Sequence, residues 1–110
     1  MKDLVEARDS HLFDADGFFR EPGQWTAALA QRIALADGMG TLSPEQLQLL
    51  HTLRNEFDKN GSLPALSHVC HMDGQDADCM QRLFPSPLQA WRVAGLPNPG
   101  EEAKAYMSRN

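Results

Sequence analysis

No run of apolar residues comes near the roughly 20 needed to cross a bilayer as a helix. The first ten residues, MKDLVEARDS, lack the apolar stretch that heads a signal peptide. A cytoplasmic protein with no membrane anchor is the expectation. Basic residues are the minority, with 10 Lys and Arg against 15 Asp and Glu and a formal net charge of -5. A strong nonspecific hold on nucleic acid needs clustered Lys and Arg to neutralise phosphates, so this balance argues against one, although it leaves room for a small basic patch. Cysteine is scarce, present at Cys70 and Cys79 alone. In a reducing compartment a lasting disulfide between them is not expected. There is no glycine-rich phosphate loop, no Ser/His/Asp grouping in a nucleophile-elbow context, no internal repeat and no low-complexity tract.

What is present describes a single folded unit. The chain has 110 residues, 42% hydrophobic and 23% charged, which suits one domain with a real core. Residues 1–11 are short, charged and without periodicity, and are expected to form a loose arm or a fraying turn. Leu12-Phe13 and Phe18-Phe19 flank Asp14-Ala15-Asp16-Gly17, the pattern of a small β-hairpin. The two aspartates read as turn formers, because the later ligands and the distal Glu of a calcium loop are missing.

The rest reads as about five helices. Trp25, Leu29, Ile33 and Ala36 recur on one helical face, and Asp37-Gly38 ends that helix. Ser43-Pro44-Glu45-Gln46 is a helix start with an N-cap, a proline at the first position and a capping-box glutamine. Leu47, Leu50, Leu53 and Phe57 form the buried stripe that follows, and Asn60-Gly61 closes it. Ser62-Leu63-Pro64 opens a third helix reaching Cys70 or Met72, and a fourth runs from Asp76 or Ala77 to Leu83. Pro85 disfavours helix at Phe84, which is expected to leave the helix and pin the chain to the core. Ser86-Pro87 starts a fifth helix with Leu88 and Trp91 on one face, Gly95 stands at its exit, and Pro97 and Pro99 keep the next residues extended. The expected fold is mainly α: a small orthogonal bundle, with a domain over 12–96 and an arm or tail over 97–110.

Few groups offer chemistry. His68, Cys70, His71 and Cys79 are metal-ligand types, but the cysteines lack the close pairing of zinc sites, so no metal is expected. Cys70 reads as a small core residue and the histidines as surface. A reactive thiol is the competing view; Asp76 and Asp78 beside Cys79 oppose its ionisation. The stretch from Arg82 to Gly100 carries the densest punctuation, with a helix stop, a helix start, an apolar helix and a stiff exit.

Several separated pieces fall in a familiar order. They are Asp16-Gly17-Phe18 with Gln24-Trp25, Leu42-Ser43-Pro44-Glu45, Asn60-Gly61, Pro64-Ala65, Arg82-Leu83-Phe84-Pro85, and Ala94-Gly95-Leu96-Pro97-Asn98-Pro99. In these the chain resembles the DsrC/TusE family of small sulfur-relay proteins, over roughly Leu12 to Gly100. The resemblance implies a helical bundle with an N-terminal hairpin and helix-turn-helix-like packing. It implies a role in sulfur metabolism or tRNA thiolation, with no cofactor and a sulfur-relay or sulfite-reductase-type protein as partner.

It also exposes two departures. Sulfur-carrying members end in a mobile arm with a near-terminal cysteine, and that position corresponds to Glu102; the second cysteine of DsrC-type members corresponds to Trp91. A non-catalytic binding or regulatory homologue is therefore expected, docking through Arg82, Trp91, Arg92, Leu96, Pro97 and Glu102. The alternatives are a sulfur carrier using Cys70 or Cys79 from a new location, and a DNA-binding regulator whose basic face combines Arg82, Arg92, Lys104 and Arg109.

Overall fold

The computed structural model describes residues 12–61 and 63–107. The expected arm over 1–11, Ser62 of the third helix start and Arg109 of the basic face lie outside them. Among the described residues there are six α-helices: α1 (Ala27–Ala36), α2 (Pro44–Asn60), α3 (Leu66–Met72), α4 (Cys79–Leu83), α5 (Pro87–Val93) and α6 (Glu101–Met107). A 3-10 turn, Pro22–Gln24, precedes α1.

The expected N-terminal hairpin is corrected. Among the described residues there is no strand, and the two sides meet in one isolated antiparallel bridge, Phe13 with Phe19. The turn itself forms: Gly17 adopts φ +88 and donates to Asp14 O at 3.0 Å. Asp14 Oδ1 accepts hydrogen bonds from the N–H groups of Asp16 and Phe18 at 2.9 and 3.0 Å. Leu12, Phe18 and Phe19 are all buried, so both flanks are drawn into the core instead of alternating across a ladder.

Local signals fix most helix ends. Thr26 caps α1 through Leu29 N–H at 3.1 Å. Ser43 and Gln46 close a reciprocal capping box at the head of α2, and Gly61, at φ +70, ends that helix. The Gln46 amide also donates to Leu83 O at 2.6 Å, tying this cap to the end of α4. Phe84 leaves α4 in extended conformation and is buried, which is the pinning role expected from Pro85. Ser86 caps α5 through Gln89 N–H at 3.2 Å.

The core gathers around α5. Ala90, Trp91 and Val93 are each at most 1% exposed, and the helix touches α1, α2, α4 and α6. Leu29, Ile33, Leu49, Leu50, Leu53, Val69 and Met80 close around it. Leu47 and Phe57, expected on the buried stripe of α2, are only partly buried; Leu49 takes a core place instead.

Candidate functional site

The exit of α5 is built as a left-handed helix stop. Gly95 has φ +71, its N–H donates to Arg92 O at 3.0 Å, and Leu96 N–H reaches back to Trp91 O at 3.5 Å. Those two bonds satisfy carbonyls that a helix end leaves open. The neighbouring carbonyls are taken by side chains from elsewhere. Trp25 Nε1 donates to Val93 O at 2.8 Å, and Arg54 donates to Ala94 O at 2.8 Å, Gly95 O at 3.3 Å and Pro22 O at 2.8 Å. The Arg54 guanidinium lies 4.5 Å over the Trp25 ring. Burial disfavours its charge and lowers its pKa from the ordinary guanidinium value, with Asp58 opposing that shift. It stays cationic and suits the negative end of α5.

This clamp sets the direction of the arm. Trp91 is 1% exposed, meets Phe57 edge to face with ring centroids 5.6 Å apart, and donates through Nε1 to Pro97 O at 2.7 Å. Leu96 is equally buried. A cleft of about 340 Å³ opens beside this root, lined by Phe57, Leu63, Trp91, Pro97 and Pro99.

Beyond Pro97 the chain turns onto the body. Asn98 Nδ2 donates to Asp14 and Asp16 at 3.2 and 2.9 Å, and its Oδ1 accepts from Gly100 N–H at 3.0 Å. Lys104 Nζ reaches Asp16 at 2.8 Å and Glu101 at 2.9 Å. Met107 is fully buried. The arm over 97–107 is thus strapped to the N-terminal turn.

These straps shift the groups that make them. For Asp14, partial desolvation raises the pKa, but hydrogen bonds from Phe18 N–H, Asn98 and Asp16 N–H outweigh it and the net value falls below 3.8. Asp16 is lowered by its bond from Lys104 and then by Asn98. Lys104 is raised above 10.5 by its bonds to Asp16 and then Glu101. The sign follows for each. The depressed carboxylates contribute above their unfolded value of 3.8 and lose that contribution as pH falls through the lower folded values. Lys104 contributes fully below 10.5 and loses it as pH rises through its folded value. We expect α6 to hold across the neutral range and detach first in acid, below about pH 4, and again in strong alkali. Proteolytic sensitivity of 97–107 against pH measures this; constant sensitivity from neutral pH down to pH 2 would contradict it.

The docking residues anticipated from sequence divide in two. Arg82, Pro97 and Glu102 lie at the surface: Arg82 pairs with Asp76 at 2.7 Å, Pro97 is half-buried and Glu102 is exposed in the first turn of α6. Trp91 and Leu96 are buried, and Arg92 is committed internally. Its guanidinium bonds Asp37 and donates through Nε to Gly17 O at 2.9 Å, while the Gln89 amide bonds the same carboxylate. These three therefore support the surface from behind. The described members of the supposed basic face, Arg82, Arg92 and Lys104, are each paired with a carboxylate.

Cys70 and Cys79 are corrected on one point. They form a disulfide across α3 and α4, Cα to Cα 5.8 Å, and both are 0% exposed. A glycine at φ +72, Gly74, reverses the chain between them and brings both to the core face, a proximity that reasoning from compartment alone does not see. His68 faces Glu56 at 3.8 Å, and His71 is exposed. Among the described residues no group of three or more metal-ligating side chains converges.

Sequence reading missed Arg54, the Asp37 acceptor of Arg92 and helix α6. For α6 a signal exists: Pro99-Gly100 followed by Glu101 and Glu102 is a helix start, with Ala103 and Met107 four apart. Arg54 and Asp37 carry no such mark, because both act across long sequence separations.

Comparison with known proteins bears on the whole of this geometry. Residues 6–101 match the protein family described as DsrC like protein. The chain is 30% identical to the sulfurtransferase TusE of Escherichia coli (strain K12), covering 78% of this chain and 86% of that one. The same identity and coverage hold for the sulfurtransferase TusE of Shigella dysenteriae. Among solved structures, the oxidized gamma-subunit of the dissimilatory sulfite reductase (DsrC) from Archaeoglobus fulgidus is similar with a TM-score of 0.67 at 26% identity, over 81% of this chain and 89% of that one. The DsrC/gamma subunit from Pyrobaculum aerophilum is similar at the same TM-score of 0.67 and 28% identity, over 81% and 83% of the two chains.

Proposed function

The chain belongs to the DsrC like protein family, and on that premise we propose that it is a non-catalytic docking member, acting in sulfur metabolism or the tRNA-thiolation relay by contact alone. The observation that carries this reading is the state of its sulfur. Both cysteines of the sequence are consumed in one buried disulfide. Persulfide transfer needs a thiolate able to reach a partner's sulfur, and the arm position that would present one holds the exposed carboxylate of Glu102.

Arg82, Pro97 and Glu102 form the contact face in this reading, with Trp91, Arg92 and Leu96 fixing the arm beneath them. The partner is a sulfur-relay or sulfite-reductase-type protein, and the setting is the cytoplasm. Among the described residues no helix is long and apolar enough to cross a membrane. A carboxylate can fill an electropositive pocket built for an anionic sulfur species, so competition with a true carrier is a natural task for Glu102. DNA binding draws no support from a face whose described cations are already paired.

Incubation with a persulfide donor followed by intact-mass spectrometry tests the proposal. The wild-type chain is expected to gain no sulfane sulfur, while Glu102→Cys, which places a thiol on the exposed first turn of α6, is expected to gain it. A transferable sulfur adduct on Cys70 or Cys79 would overturn the non-catalytic reading in favour of a relocated carrier.

A further inference from the structure

The disulfide closes a loop that contains the partners of Arg82, an exposed residue of the proposed docking face. Cys70 lies in the last turn of α3 and Cys79 opens α4, nine positions later. Between them, Gln75 Oε1 accepts from Arg82 Nη2 at 2.8 Å, and Asp76 Oδ1 accepts from Arg82 Nε and Nη2 at 3.0 and 2.7 Å. Arg82 is thereby held by two side chains of the closed loop, and its bond to Asp76 also lowers the Asp76 pKa.

The other restraints on this loop are hydrogen bonds. Asp73 accepts from Thr52 of α2 at 2.5 Å in a partly buried contact. Asp73 and Gln75 N–H donate to Cys70 O at 3.1 and 2.9 Å, Gly74 N–H to His71 O at 3.0 Å, Cys79 N–H to Asp76 O at 3.1 Å, and Asp78 N–H to Asp76 Oδ2 at 3.2 Å. Each contributes little on its own. The covalent link is the dominant restraint, because it removes the open states that the loop would otherwise sample.

We propose that the Cys70–Cys79 pair is a redox lock on the docking face, holding Arg82 in place when oxidised and releasing it when reduced; this rests on the docking reading of Arg82. The reductant is a dithiol. Its thiolate attacks one sulfur of the pair to form a mixed disulfide and expel the other as a thiolate. Its second thiolate then closes the reductant's own disulfide and frees the second cysteine. Two electrons pass to the protein, two protons follow, and Cys70 and Cys79 end as thiols. Both sulfurs are fully buried, so attack must wait for the α3–α4 corner to open, and exchange is slow and gated. The reduced thiols remain compatible with an apolar site, and Val69, Met80 and Phe84 keep the helices seated. The change is therefore local.

Hydrogen exchange on the full chain, oxidised and after dithiothreitol, reads the loop directly, with thiol alkylation confirming each state. Reduction is expected to speed exchange at amides 73–79 by about tenfold or more, leave α2 and α5 unchanged, and broaden the Arg82 Nε–H signal in NMR spectra. Cys70→Ala with Cys79→Ala should reproduce the reduced pattern. Unchanged loop exchange, a freed loop with an unaltered Arg82 signal, or acceleration throughout α2 and α5 would each overturn the lock. None of these readouts involves a partner, so failure of the docking reading leaves them intact, and failure of the lock leaves docking constitutive.

Discussion

Gly95→Ala is expected to destabilise the protein by about 2–5 kcal/mol, the sum of two separable costs. The first is conformational: Gly95 has φ +71, where a side chain costs about 1–2 kcal/mol. The second is steric. A Cβ built there would stand 2.1 Å from Trp25 Cδ1, 2.6 Å from Cγ and 2.9 Å from Cβ. Trp25 cannot yield freely, since its ring is wedged against His51, covered by Arg54 and bonded to Val93 O. Displacing it adds about 1–3 kcal/mol of overpacking and dismantles the clamp on the α5 exit. Gly38→Ala separates the terms. Gly38 has φ +79 but open space around it, so it should lose only the conformational part, about 1–2 kcal/mol. Urea denaturation of the two variants measures both; equal losses would show that Trp25 moves aside and that the clamp is loose.

The contrast between those glycines marks what the sequence can disclose. A glycine after a helical stripe announces a helix end, and all the main helix ends at Gly38, Gly61 and Gly95 were legible in that way. So were the caps at Ser43 and Ser86 and the escape of Phe84, because each depends on neighbours within four residues. That Gly95 also receives the Trp25 ring was not legible, since the contact spans the chain. The same limit hid Arg54 and the Asp37 partner of Arg92. The hairpin expectation went astray for a related reason. Asp14-Ala15-Asp16-Gly17 does encode a turn, but whether its flanks pair as strands depends on what lies beside them, and here the core claims Phe18 and Phe19. At the site, the internal commitment of Arg92 and Trp91 was not legible, because Asp37, Gly17 and Phe57 meet them from far along the chain.

Trp91→Ala is expected to cost about 3–5 kcal/mol, the range for deleting a buried aromatic side chain, a large part of the roughly 5–15 kcal/mol that holds a domain of this size. The ring sits between Phe57 and the arm root, so the deletion opens a void continuous with the cleft beside Pro97 and Pro99. It also removes the N–H that holds Pro97 O. Trp91→Phe isolates that second effect, keeping most of the packing while surrendering the hydrogen bond, and should cost about 1 kcal/mol beyond any loss of volume. Its consequence falls on the arm. With Pro97 released, 97–107 keeps the exposed polar straps from Asn98 and Lys104 and the burial of Met107, so limited proteolysis should cut this segment faster in Trp91→Phe than in wild type while the body stays folded. If Trp91→Phe instead loses global stability and leaves arm cleavage unchanged, the indole serves the core alone and the arm is held entirely by its tail. Trp91 would then fill space without directing the arm, and the proposed docking face would have to be sought around Arg82.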